Sequence, residues 1–139
     1  MRMAFLFATA ALASAGAALA AKPSPLTTPA PASGAGLPSG QCIRSQDIQS
    51  HSVADRQTML IKTRQRETYR VTRKGGCLAG AIPSDPIITR SPPGSSMICR
   101  PLDMDMAISR GGFETPCIVD SIVKMSAEEV AALPSKIRP

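Results

Sequence analysis

Apolar and polar residues alternate in two stretches of the chain, residues 68–73 and 103–108. Such a period of two predicts strands with one buried and one wet face. Residues 58–63 and 117–125 add two runs rich in β-branched and other apolar residues, and the second run predicts the strongest strand of the chain. Polar residues separate the first run from the alternating stretch that follows it, so we expect a β-hairpin over residues 58–73.

Prolines and glycines limit the strands that residues 77–99 can form. Proline removes a backbone donor and fixes φ, which excludes long central strands. We therefore expect only two short strands in this stretch, at residues 87–89 and 97–99.

A short helix is predicted after the last strand. Ser126 and Glu129 have the spacing of a capping box, in which each side chain bonds the backbone N–H of the other residue. The helix should cover residues 127–133, and Pro134 should end it.

Together these elements predict a mainly β domain. We expect a small antiparallel barrel or sandwich of about five to seven strands with a short C-terminal helix and two disulfides. The alternative is an α+β domain with a larger helical share, and the extra helix would then lie in residues 44–57.

The start of the chain differs from the rest in composition. Residues 1–20 combine a basic start with an uncharged, Ala-rich apolar run that ends in a small-x-small pattern, which is typical of a cleaved signal peptide. A retained membrane anchor is the alternative. Residues 21–40 are rich in Pro, Ser, Thr, Ala and Gly, which predicts a disordered linker. The folded domain is then expected at residues 41–133, with a tail at residues 134–139 and no transmembrane segment after signal removal.

Four cysteines lie in the predicted domain, at Cys42, Cys77, Cys99 and Cys117. An even number of cysteines in an exported chain predicts two disulfides. The intervals between them are 35, 22 and 18 residues, so no close pair of the Cys-x-x-Cys kind is present and no zinc site is predicted. A domain this small buries little apolar surface and is marginal without crosslinks.

Four cysteines allow three pairings. We favour the nested one, Cys42–Cys117 with Cys77–Cys99. Residues 43–53 resemble a short, irregular strand, and the first bond would join this strand to the last one. The second bond would close the proline-rich stretch.

The chain carries a formal net charge of +6, which predicts weak attraction to anionic surfaces rather than specific binding. Once the signal is removed, the aromatic side chains are Tyr69 and Phe113, and the chain has no Trp. Binding sites for sugars and for single-stranded nucleic acids depend on aromatic stacking. We therefore expect no specific nucleic-acid binding.

Six cations cluster on the predicted hairpin: Lys62, Arg64, Arg66, Arg70, Arg73 and Lys74. One interpretation is an anion-binding ridge for an envelope polyanion. The other is a solvated face whose charges prevent strands of different molecules from pairing edge to edge.

No catalytic, cofactor or metal site is predicted. His51 lies four residues from Asp47 and four from Asp55, a spacing that does not enforce contact in strands and turns. Asp103 and Asp105 share one strand face, without the further oxygen ligands and the Gly-bearing turn of a calcium loop.

A resemblance is carried by six segments: Cys42-Ile43, Asp47-Ile48, Tyr69-Arg70-Val71, Cys77-Leu78, Ile98-Cys99 and Cys117-Ile118-Val119-Asp120-Ser121-Ile122. In this order, over residues 41–125, they resemble an uncharacterised family of small exported bacterial proteins with four cysteines, a domain of unknown function. Members carry a Gly-Asp pair shortly after the third cysteine, where this chain has Arg100-Pro101-Leu102-Asp103. The resemblance implies export and a similar fold, and it implies no activity because the family has none established.

The function expected from the sequence is that of a periplasmic or secreted binding or accessory protein, monomeric, with an anionic envelope component as a weak partner. A small exported hydrolase built from Asp, Ser and Arg residues is one alternative. An inhibitor of another exported protein, acting through a loop at residues 80–96, is the other.

Overall fold

The computed structural model describes residues 31–82, 85–90 and 94–139. The predicted signal peptide and residues 21–30 of the predicted linker lie outside the described residues.

Besides two short 3-10 helices, Ser45–Asp47 and Pro101–Asp103, the described part of the chain contains eight strands and one α-helix. They are β1 (Ile43–Arg44), β2 (Ile48–Val53), β3 (Thr58–Thr63), β4 (Thr68–Lys74), β5 (Ile87–Arg90), β6 (Met97–Ile98), β7 (Asp105–Arg110), β8 (Phe113–Lys124) and α1 (Ala127–Ala132). Six strands form one antiparallel sheet in the order β2-β3-β4-β8-β7-β5, and β1 pairs with β6 in a separate ribbon. The large sheet curls into a half-barrel, which confirms the predicted mainly β fold. The α+β alternative is wrong, because residues 44–57 contain the end of β1, a short 3-10 turn, β2 and the loop after it.

The predicted hairpin is present as β3 and β4. Ile61 lies opposite Tyr69, and Met59 lies opposite Val71, so the apolar residues of both strands share one face. The turn between the strands is closed by the Thr63 N–H, which donates to the Glu67 carbonyl at 2.9 Å. Alternation in the sequence therefore located this part of the sheet correctly.

β8 is the longest strand and pairs with two neighbours. Residues 113–117 pair with β7, and residues 118–124 pair with β4, with a change of register beside Asp120. A bulge of this kind bends a strand and increases its twist. It contributes to the curl of the sheet.

A segment of the predicted linker adds to the sheet. The Gly34 N–H donates to the Asp120 carbonyl, and the Ile122 N–H donates to the Ala35 carbonyl, both at 2.9 Å. β4 occupies the other side of β8 at these positions, so Gly34 and Ala35 pair on the side that β7 leaves open. The packed part of the chain thus includes residues that precede Gln41.

The two faces of the sheet are covered differently. The inner face of the half-barrel holds the main core, centred on Met59, Val71, Met106 and Ile122. On the outer face, Leu60 packs with Met125 and Leu133 in a second cluster, to which Val130 and Ile137 add partly buried side chains. The C-terminal segment therefore covers the outer face of the hairpin.

α1 begins as predicted. The Glu129 N–H donates to Ser126 Oγ at 3.2 Å, and the Ser126 N–H donates to Glu129 Oε2 at 2.7 Å. The other oxygen of the same carboxylate lies 3.2 Å from Nη2 of Arg70 on β4. The residue that caps the helix also attaches it to the sheet.

The structure contains two disulfides, as predicted, but the nested pairing was wrong. The bonds are Cys42–Cys99 and Cys77–Cys117. Ile43 lies opposite Ile98 in the β1–β6 ribbon, so the next antiparallel pair outward is Cys42 and Cys99. Lys74 lies opposite Ile118 where β4 pairs with β8, and the turn after β4 brings Cys77 back to Cys117.

Removing the second crosslink should destabilise the domain strongly. The bond joins residues 40 positions apart, and the chain-entropy model assigns a loop of this length about 4 kcal/mol. We expect the double variant Cys77→Ser, Cys117→Ser to lose about that much free energy of unfolding, measured by urea denaturation without reductant.

Peptide mapping without reductant is the accompanying check on connectivity. Joined peptides containing Cys42 with Cys99 are expected. A peptide joining Cys42 to Cys117 would contradict the structure.

Candidate functional site

The six cations of the hairpin do not lie on one exposed surface. Arg64, Arg66 and Lys74 are exposed and Lys62 is partly buried, whereas Arg70 and Arg73 are only 7% and 2% exposed. Alternation along β4 places Arg70 on the outer face, beneath α1, and Arg73 on the inner face with Val71. A ridge of all six side chains is therefore not formed.

Arg73 is a charged side chain inside the apolar core. Its Nη2 lies 4.0 Å from the Met106 sulfur, and its Nε and Nη1 have no hydrogen-bond partner among the described residues. Burial lowers the pKa of the guanidinium to about 10, and the carboxylate of Asp55 opposes that shift only partly. Unpaired buried donors cost stability, so we expect Arg73 to weaken the fold.

The variant Arg73→Met should be more stable than the wild type. Methionine fills similar space, removes the unpaired donors and suits the contact with Met106. We expect the free energy of unfolding to rise by about 1–3 kcal/mol in urea denaturation. Arg64→Met, at an exposed position, should change it by less than about 0.5 kcal/mol. A loss of stability in Arg73→Met would show that the guanidinium stabilises the core.

A polar cleft of about 500 Å³ lies where the β3–β4 turn and the end of β8 meet the segment that leads into β1. Its lining residues are Gly40, Gln41, Cys42, Ile43, Arg44, Asp47, Thr63, Gln65, Glu67, Tyr69 and Lys124. The Cys42–Cys99 bond fixes the segment that forms one wall. The register of the hairpin fixes the opposite wall.

Glu67 is the central polar group of this cleft. The Tyr69 hydroxyl donates to its Oε2 at 2.6 Å, and Lys124 Nζ lies 2.5 Å from its Oε1. Antiparallel pairing places Tyr69 opposite Lys124, which brings both donors to one carboxylate. The hydrogen bond from Lys124, followed by that from Tyr69, lowers the pKa of Glu67. Burial, followed by the bond to Glu67, raises the pKa of Tyr69.

A second polar pair and one exposed cation complete the walls. Gln65 Nε2 donates to Asp47 Oδ2 at 3.0 Å, and the Arg64 N–H donates to the Asp47 carbonyl at 2.9 Å. The exposed Arg44 lies on β1, on the side that the disulfide fixes. The cleft thus offers donors and acceptors held in place by neighbouring strands.

Glu67 and Tyr69 are poorly suited to proton transfer near pH 7. General acids and bases work best when their pKa lies near the working pH. The surroundings move the pKa values of Glu67 and Tyr69 further from pH 7. At neutral pH, Glu67 therefore stays ionised and the Tyr69 hydroxyl stays protonated. Fixed charges and dipoles of this kind can orient a polar ligand.

His51 lies in a different cleft, of about 310 Å³, between β2 and β5. No carboxylate is among the residues described as lining it. Asp47 bonds Gln65, and Asp55 accepts the N–H groups of Gln57 and Thr58 in the β2–β3 turn. The structure therefore does not bring His51 together with either aspartate in this cleft.

The prediction that Asp103 and Asp105 share one strand face is wrong, because Asp103 ends a short 3-10 turn (Pro101–Asp103) and only Asp105 belongs to β7. Asp103 accepts the N–H groups of Cys99 and Arg100 at 3.1 and 2.8 Å, and it pairs with the Arg100 side chain at 3.1 Å. This carboxylate holds the turn beside the Cys42–Cys99 bond. Within the described ranges, no group of three or more His, Cys, Asp or Glu residues could hold a metal ion. Part of the proposed inhibitory loop, residues 83–84 and 91–93, lies outside the described residues.

Comparison with known families finds one family that covers nearly the whole chain. A model of a family of unknown function, DUF6491, matches residues 1–138. The chain belongs to this family. No curated protein and no solved structure matches it. The predicted resemblance to an uncharacterised family is confirmed, and the family indicates no activity or ligand.

Two further observations concern the compartment. Two disulfides close within one small domain, which suggests a protein that is not cytoplasmic. In the described part of the chain, no helix has the length and apolar character needed to cross a membrane.

Sequence reasoning did not identify Glu67 and Lys124 as partners. The sequence did contain one signal for Glu67: it is the single acidic residue among the cations of the hairpin. Lys124 lies 57 positions away in the chain, and only the pairing of β4 with β8 brings it near.

The Glu67 ion pair should make stability depend on pH in the acid range. The folded pKa lies below the ordinary value of 4.5, so the stabilisation is complete above 4.5 and is lost as the pH falls through the folded pKa. We expect the difference in free energy of unfolding between wild type and Glu67→Gln to shrink from pH 7 to pH 3.

Lys124→Met provides the matched background, because it removes the largest cause of the shift. There the effect of Glu67→Gln should vary much less with pH. An equally large pH dependence in both backgrounds would assign the effect to other carboxylates.

Proposed function

We propose that this protein is an exported binding or accessory protein of the periplasm or cell envelope, whose polar cleft takes a small polar ligand. The observation that carries the proposal is the Tyr69–Glu67–Lys124 group in a cleft braced by a disulfide. Export rests on the basic and apolar start of the chain and on the two disulfides.

The geometry supports binding in three ways. The volume of about 500 Å³ is within the range of small-molecule sites. The walls belong to paired strands and a crosslinked segment, so little conformational entropy is lost when a ligand binds. The lining presents two carboxylates and two cations, which suits a ligand with both donor and acceptor groups.

The exposed cations around the hairpin support an envelope location. Arg64 and Arg66 lie on the β3–β4 turn, and Lys74 lies at the opposite end of β4. Exposed cations attract anionic surfaces weakly and in a salt-dependent way. They would hold the protein near anionic envelope components without deciding the ligand of the cleft.

Arg44→Ala tests the cleft without disturbing the core, because Arg44 is exposed on β1. The full chain is expressed in a bacterium, recovered from the periplasmic fraction and used to retain small polar molecules from an envelope extract. We expect the variant to retain the cleft ligand about tenfold less well, the usual cost of a lost charge-assisted hydrogen bond.

The matched control is Arg56→Ala, which removes an exposed cation from the β2–β3 turn outside the cleft. It should retain the ligand as the wild type does. Recovery of the chain in the cytoplasm with free thiols would refute export. Equal retention by both variants, or no retained molecule at all, would refute the role of the cleft.

A further inference from the structure

A second groove, of about 400 Å³, lies on the other side of the Glu67–Lys124 pair. It runs between the β3–β4 turn, the end of β8 and α1. Its apolar lining comes from Met125, Ala127, Val130 and Ala131. Because two of the helical residues are alanines, the helix leaves space above the sheet at this point.

The apolar wall is continuous with the outer-face cluster. Met125 is buried against Leu60 and Leu133, and Val130 packs onto the same cluster from α1. The groove is therefore supported from below by packed side chains. A hydrocarbon chain lying in it would contact apolar surface that water now covers.

Cations surround this apolar surface. Arg66, Lys124 and Arg138 line the groove, and Glu67 is its one described acidic residue. Since Lys124 pairs with Glu67, a surplus of two positive charges remains. The groove is thus apolar inside and cationic at its margin.

Arg138 lines the groove and is held in place where α1 ends. Its Nη2 donates to the carbonyls of Ala131 and Leu133 at 3.0 and 2.8 Å, where α1 ends. A cation at a helix C-terminus is favoured by the helix dipole. The rest of the guanidinium is available to a ligand in the groove.

Arg66 lines the groove from the β3–β4 turn, in an unusual backbone conformation. Its φ is +65°, and it is the one described residue other than glycine with a positive φ. Glycine and asparagine adopt this conformation at lower cost than arginine. No ion pair or side-chain hydrogen bond of Arg66 occurs among the described residues. Backbone strain of this kind is concentrated at functional positions.

We propose that the groove binds an anionic amphiphile with a single hydrocarbon chain. The chain lies along the apolar wall formed by α1 and Met125. The anionic head group accepts hydrogen bonds from Arg66 and Arg138. This inference goes beyond the proposed function, since it uses a different surface and a different class of ligand from the polar cleft.

Dodecyl phosphate below its micelle concentration is the probe, and binding to the full chain is measured by isothermal titration calorimetry at low salt. Arg66→Asn removes the cation and keeps a residue suited to positive φ. We expect it to bind about tenfold more weakly than the wild type. Arg64→Asn removes a cation from the same turn outside the groove and should stay within about twofold.

A second pair of variants tests the apolar wall. Ala131→Phe fills the groove from an exposed helix position, and Ala132→Phe places the same ring on exposed α1 surface outside the groove. The first should abolish binding of dodecyl phosphate, and the second should preserve it. Circular dichroism of both variants verifies that the fold is intact.

Two other ligands separate the chemistry of the head group from that of the chain. Dodecyl maltoside has the same chain with a neutral head, and inorganic phosphate has the anion alone. Both should bind at least about tenfold more weakly than dodecyl phosphate. Equal binding of either ligand, or equal effects of the two arginine variants, would overturn the proposal. Arg44→Ala, which alters the polar cleft, should leave dodecyl phosphate binding unchanged, so the two proposals can fail separately.

Discussion

The pairing of β8 with two different neighbours is the constraint on which the rest of this structure depends. Its first half hydrogen-bonds β7 and its second half hydrogen-bonds β4, so one strand joins both parts of the sheet. The change of register beside Asp120 bends it and helps to curl the sheet around one core. The same strand brings Cys117 to Cys77 and presents Lys124 to the hairpin.

Two carboxylates, one on α1 and one on the β3–β4 turn, each connect separate parts of the fold. Glu129 caps α1 and pairs with the buried Arg70, which attaches the helix to the outer face of the sheet. Glu67 joins Tyr69 to Lys124 and forms the wall between the polar cleft and the cationic groove. In a domain with a small apolar core, such shared partners order surface elements that packing alone would hold weakly.

Local signals in the sequence were sufficient for several elements. The hairpin, the last strand and the capping box of Ser126 and Glu129 depend on residues close together in the chain, and all three are present. The disulfide pairing and the burial of Arg73 were not predictable in this way. Both depend on which strands become neighbours, and that choice is made by residues far apart in the chain.

The sequence by itself determined that this is a small β domain with two crosslinks and a short final helix, because alternation, turn residues and capping act over a few positions. Tertiary structure decided which cysteines meet, which cations are exposed, and that Glu67 and Lys124 line both the polar cleft and the groove beside α1. Those outcomes required the register between β4 and β8, and between β1 and β6. An antiparallel register is set by the packing of whole faces, which no single segment encodes.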